Sequence, residues 1–151
     1  MNGDLALDAR RAPDTRRALD ARRAEELAEL FVEFLRTGSV PDGLFTEDVF
    51  CDLSLPQWRL QTTGRDELAA LRRTSHPFHG TVPRRRVEVT DTGIVIEFEE
   101  RWEADGDWYC RELLRADVRD GAMSEVSVYC TGDWSPAVQD AHRKEVTLLR
   151  P

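Results

Sequence analysis

Residues 94–118 read Ile94-Val-Ile-Glu-Phe-Glu-Glu-Arg-Trp-Glu-Ala-Asp-Gly-Asp-Trp-Tyr-Cys-Arg-Glu-Leu-Leu-Arg-Ala-Asp-Val118, and their alternation decides the fold. Even positions carry Ile94, Ile96, Phe98 and Trp102, then Trp108, Cys110, Leu114, Ala116 and Val118. Odd positions carry Glu97, Glu99, Arg101 and Glu103, then Arg111, Arg115 and Asp117. A period of two with one apolar face is the signature of half-buried strands. Ala104-Asp105-Gly106 supplies the turn between them, so Glu103 pairs with Asp107 and Glu99 with Arg111 on the outward face.

The pattern extends in both directions. Strands are expected at about 84–91 and 123–133. A two-residue Thr92-Gly93 loop sets Val89 by Ile96, Val87 by Phe98 and Arg85 by Glu100. At Arg119-Asp120-Gly121 a three-residue turn pairs Val118 with Ala122 and sets Cys110 opposite Cys130 and Arg115 opposite Glu125. A two-residue turn there would place Val126 and Val128 among charges, and register is not free to do that. Upstream, Leu27, Leu30, Phe31, Phe34 and Leu35 have the spacing of an amphipathic helix from Glu25, which Gly38 can close. Residues 43–55 read as a helical turn entering a strand that Pro56 interrupts before Trp58. Thr63-x-x-Asp66 resembles a capping box for a second helix with Leu68 and Leu71 buried, and Ser135-Pro136 starts a last helix. The expected architecture is α+β, with N-terminal helices packed on one face of a curved antiparallel sheet.

The chain has 151 residues, which bounds it to one domain. With 21 Lys+Arg against 29 Asp+Glu its formal charge is −8, the wrong sign for general nucleic-acid binding. No apolar run is long enough to span a bilayer and no signal-peptide core opens the chain, so a cytoplasmic location is expected. Cys51, Cys110 and Cys130 are odd in number and lack a CxxC, which argues against a disulfide framework or a zinc site. Residues 1–24 differ in composition: Leu7-Asp8-Ala9-Arg10-Arg11-Ala12 returns as Leu19-Asp20-Ala21-Arg22-Arg23-Ala24. This segment reads as a flexible extension before a domain over 25–135, with 136–151 as a C-terminal helix or tail.

Glu100 and Glu112 fall on the apolar face, where an unpaired carboxylate is costly. Arg85 is the expected partner of Glu100; Glu112 has none, which suggests a place at a pocket. Two carboxylates in different environments can serve as acid and base. In Ser75-His76-Pro77-Phe78-His79 the proline denies the HxxH spacing a helix, so no metal is expected, and His79 is favoured over His76 as a general acid–base. Cys110 and Cys130 read as inert buried thiols. Trp58, Trp102, Trp108 and Trp134 are core or rim residues or an aromatic lining, and Tyr129 faces outward.

The chain resembles the SnoaL-like branch of the NTF2-like superfamily, which holds ketosteroid isomerases, polyketide cyclases and limonene epoxide hydrolase. The resemblance covers about residues 25–135. It rests on the long first helix, on Leu44-Phe45-Thr46-Glu47-Asp48-Val49-Phe50-Cys51-Asp52, on Gly64-Arg65-Asp66-Glu67-Leu68 and on Asp120-Gly121-Ala122-Met123-Ser124-Glu125. It implies a conical barrel around one apolar pocket, a homodimer, and a carboxylate base at or near Asp52. The first helix has Phe31 and Phe34 where the isomerases have a tyrosine, and Asp52, Arg85 and Glu100 match the hydrolase's Asp-Arg-Asp group by residue type only. The expectation is a cofactor-independent cyclase, isomerase or dehydratase of secondary metabolism acting on a small apolar substrate. Asp52, Glu112 and His79 would move protons, while Trp58, Arg85, Phe98, Glu100 and Trp102 bind the substrate. A non-catalytic ligand-binding or dimerisation module on the same fold is the alternative.

Overall fold

The computed structural model describes residues 19–150. Helix α1 (Ala21–Thr37) is followed by strands β1 (Phe45–Leu55) and β2 (Trp58–Thr63) and by helix α2 (Arg65–Ser75). Strands β3 (Gly80–Val89), β4 (Gly93–Glu103), β5 (Asp107–Arg119) and β6 (Ala122–Cys130) come next, and helix α3 (Pro136–Glu145) ends the order. The six strands form one curved sheet in the order β2-β1-β6-β5-β4-β3. The sheet is mixed rather than antiparallel throughout, because β1 runs parallel to β6, with Cys51 beside Val126 and Leu53 beside Val128. No described helix is long and apolar enough to cross a membrane.

Helix α1 begins before Glu25. Asp20 caps it by accepting the Arg23 N–H at 2.7 Å, and Ala24 is buried. Arg23 reaches across to the Gly121 carbonyl at 2.7 Å and the Gly43 carbonyl at 3.2 Å, which ties the helix start to the β5–β6 hairpin. Residues 19–24 therefore belong to the domain, while residues 1–18 of the expected extension lie outside the described residues. The buried stripe of α1, Leu27, Ala28, Phe31, Phe34 and Leu35, lies on Ile94, Ile96 and Phe98 of β4, Leu114 and Ala116 of β5, and Val49 and Cys51 of β1. Each fully buried leucine or isoleucine there stabilises the fold by about 1.5–3 kcal/mol.

The even-numbered face of β4 and β5 is the buried one, and Glu103 pairs with Asp107 as expected. Two neighbouring registers differ from expectation. At the β3–β4 connection the Thr90 N–H bonds the Gly93 carbonyl, so Val89 faces Ile94 and Arg85 faces Phe98. The shift is by two positions, which preserves the face but changes the partner. At the β5–β6 hairpin Arg119 pairs with Ala122, and Asp120 (φ 53°) and Gly121 (φ 80°) form the two-residue turn that had been rejected. A bulge at Ser124 then resets the register: Val118 faces Met123, but Ala116 faces Val126. Both Met123 and Val126 are thereby buried, although their parity differs. Cys130 now lies opposite Glu112, not Cys110.

The second helix has no side-chain cap of the expected kind. Glu67, not Asp66, reaches back to the Thr63 N–H at 3.1 Å. At the C-terminus Ser135 caps α3 and Pro136 opens it, as expected. The buried Gln139 side chain donates to the Asp107 and Trp134 carbonyls and seats α3 beside β5.

Candidate active site

A cavity of about 310 Å³ lies between the helices and the inner face of the sheet. Phe31, Phe34 and Leu35 of α1 and Leu68 and Leu71 of α2 form its helical wall. Phe45, Cys51, Leu53 and Leu55 of β1, Phe98 of β4, Leu114 of β5 and Val126 and Val128 of β6 form its sheet wall. Its size is at the lower end of the range for small-molecule sites, and its lining has the usual apolar character. The polar groups are few: Arg72, Ser75 and His76 at the end of α2, Glu112 on β5, and Asp133 just past β6.

The overall fold matches known structures. A 1.65 Å NTF2-like protein from Anabaena variabilis superposes with a TM-score of 0.63 at 19% identity, covering 74% of this chain and 89% of that one. A proposed polyketide cyclase from Xanthomonas campestris gives 0.56 at 21% identity (72% and 90% covered). A proposed ketosteroid isomerase from Kribbella flavida gives 0.57 at 18% identity (86% and 92% covered). The fold is NTF2-like. No protein-family model matches the sequence, and no curated protein matches it significantly.

The NTF2-like cavity owes its electrostatics to Arg72. Its guanidinium forms a two-pronged pair with Glu100, Nη1 to Oε1 at 3.0 Å and Nη2 to Oε2 at 2.7 Å, and donates to the Leu35 carbonyl at 2.6 Å. Both side chains are buried. Arg72, one turn beyond Leu68 on the stripe that faces the sheet, thus takes the role expected of Arg85. The register shift moves Arg85 opposite Phe98 near the open edge of the sheet, where it pairs with Glu25 and Glu29 of α1.

No cation pairs with Glu112 among the described residues. Burial, then the negative charge of neighbouring Glu100, hold its carboxyl well above the ordinary value, which favours its protonated form. His76 moves the other way: burial, then the Arg72 cation, lower its pKa against the pull of Glu100 and Asp133. Its Nε2 stands 3.9 Å from an Asp133 carboxylate oxygen, and its ring meets Trp102 edge-on at 5.0 Å. The polar lining of the cavity therefore combines a carboxyl group biased towards its acid form with an imidazole biased towards its neutral form.

The donor atoms of Cys110, Glu112 and Cys130 lie within 4.8 Å of one another. The hydrogen bond it gives Cys130, and burial, push the Cys110 thiol up. That bond and the Gly132 N–H at 3.3 Å lower Cys130 to about 7. The three groups are linked through the Cys130 sulfur, which accepts from Cys110, Glu112 and the Gly132 N–H.

Other residues singled out in the sequence are placed elsewhere. Asp52 is on the outer face, where the strand alternation sends it once Cys51 faces inward. Arg59 binds it through Nε at 2.8 Å and Gln61 at 3.2 Å, and the Arg59 bonds hold its carboxyl below the usual range. Trp58 is 66% exposed on the edge strand β2. His79 is exposed and bonds the Arg36 carbonyl. Phe98 lines the cavity; Trp102 lines a neighbouring one; Glu100 is enclosed behind Arg72. Arg72 and His76 were legible in principle, at four-residue steps from Leu68 along α2.

Proposed function

We propose that the chain is a cofactor-independent acid–base enzyme of the isomerase, cyclase or dehydratase type, acting on a small, largely apolar molecule that carries a carbonyl or hydroxyl group. The observation that carries this reading is Glu112, a buried carboxylic acid lining an apolar cavity whose polar end also holds the neutral imidazole of His76. The substrate's apolar part lies against Phe31, Phe34, Phe98 and Leu114. Its carbonyl or hydroxyl oxygen lies at the polar end, where Glu112 donates a proton to it as negative charge develops and takes that proton back as the charge is withdrawn. His76 takes the proton from the adjacent carbon and returns it to a different atom, so no net proton or electron is required. Arg72 and Glu100 are positioning residues: the pair fixes the end of α2, and the Glu100 carboxylate adds to the burial that raises the Glu112 pKa. The proposed polyketide cyclase and ketosteroid isomerase that share the fold support this class of chemistry. Secondary metabolism, a cytoplasmic location and a homodimer belong to the same proposal.

The test is deuterium exchange at carbons next to a carbonyl, followed by NMR on a panel of mono- and bicyclic ketones. The protein is expected to accelerate exchange on at least one, and Glu112→Gln and His76→Gln each to slow it by about 10²-fold or more while circular dichroism stays unchanged. No exchange on any ketone, or exchange indifferent to both substitutions, would leave the cavity as a binding site without chemistry.

A further inference from the structure

A second cavity, of about 490 Å³, lies against the first and shares Ser75, His76 and Asp133 with it. Its chemistry is different. Trp102 and Trp108 lie nearly parallel in it, 19° apart with centroids 6.4 Å from each other, and Phe78 stands beside them with half its surface exposed. Two carboxylates, Asp105 and Asp133, complete the rim. Asp105 also accepts the Trp108 indole N–H at 3.2 Å, which fixes that ring. No lysine or arginine is among the described residues that line it, and the one titratable base, His76, is held towards its neutral form. Two indoles and a half-exposed phenyl ring beside two anionic groups, with no competing cation, are the arrangement that recognises an organic ammonium, through aromatic rings and charge together. An inorganic cation would find only two carboxylates there, too few oxygens for a dehydrated ion.

We propose that this outer cavity binds the alkylammonium head of an amphipathic organic cation whose apolar part enters the inner cavity beside His76 and Asp133. This names the substrate class of the site above, and for its apolar half it rests on the reading of the inner cavity as a substrate site. The ammonium is excluded from the inner cavity, where burial near Arg72 opposes a second cation.

Choline and its neutral isostere 3,3-dimethylbutan-1-ol separate charge from shape. Titrated by calorimetry and tryptophan fluorescence, choline is expected to bind at least tenfold tighter than the alcohol. Its affinity should fall severalfold with Trp108→Ala and with Asp133→Asn, and weaken with added salt. Hexyltrimethylammonium should bind tighter still. Glu112→Gln should leave choline affinity unchanged, so a failure of the acid–base reading does not touch this result. Binding of the alcohol within twofold of choline, absence of choline binding, or choline binding unchanged by Trp108→Ala in a folded variant would overturn the proposal. The comparison of the two ligands on the unaltered protein decides even if that variant does not fold.

Discussion

Replacing Arg72 with methionine removes the cation from the buried pair and leaves most of the side-chain volume in place. Glu100, 2% exposed, then loses both guanidinium bonds and keeps only the hydrogen bond it shares with Glu112 among the described residues. The Leu35 carbonyl also loses its side-chain donor. Breaking a buried pair from one side costs about 3–5 kcal/mol, since an uncompensated charge remains. Against a total stability of about 5–15 kcal/mol this is a large share. For a chain of this size it corresponds to a fall in Tm on the order of 10 °C. The companion change Glu100→Leu removes the orphaned charge, and the double variant is expected to recover most of the loss, because an apolar replacement of both partners is often neutral. Urea unfolding followed by tryptophan fluorescence, on the two single variants and the double, gives the coupling directly. If Arg72→Met costs less than about 1 kcal/mol, or if the two losses simply add, the pair is not the buried anchor described.

Glu112 holds its proton in the folded chain above the ordinary value of 4.5, so the folded state binds more protons and its stability declines as pH rises beyond that point. Glu112→Gln should abolish this slope, seen as a gap between the two denaturation midpoints that widens above pH 4.5. Asp52→Asn should leave deuterium exchange within twofold of the unaltered protein, because Asp52 lies on the outer face; a large loss would mean that the site is elsewhere. A thiol reagent at pH 8 should label Cys130 well before Cys51, which burial and the Asp52 charge push up to about 11, and before Cys110; peptide mapping gives the order. Gly93→Ala should lower the stability by more than about 1 kcal/mol in the same urea assay, because the added Cβ would collide with the Ala116 carbonyl oxygen.

Where one face of a strand is apolar, sequence alternation was a reliable guide. Ile94 to Val118 carried the β4–β5 register to the residue, and the inward places of Phe98, Glu100 and Glu112 followed from it. Connections were harder to read. The Thr90–Gly93 turn and the Ser124 bulge each change a partner without changing a face, and local composition does not separate the options. That is why Arg85 was set beside Glu100 and Cys130 beside Cys110. The parallel β1–β6 pair was invisible for a different reason, since nothing in either strand's own sequence names a distant partner. Asp52 was misplaced through the resemblance: alternation along Val49, Cys51 and Leu53 already put the intervening residue outside. In the loop after α2, His76 and His79 differ only in how far the helix extends, which composition fixes poorly.

The parallel pairing of β1 with β6 also orders the assembly of the molecule. Strands β3 to β6 are joined hairpin by hairpin and can zip locally, whereas Cys51 must wait for Val126. Contacts so distant in the chain are paid for late, after the entropy of closing the intervening segment. During synthesis α1, β1, β2 and α2 emerge first, yet their apolar faces have no finished sheet to cover until the last strand arrives. The ligand cavity, walled by β1 on one side and β6 on the other, is then among the last features to form, and a chain truncated before β6 would lack the wall made by Val126 and Val128.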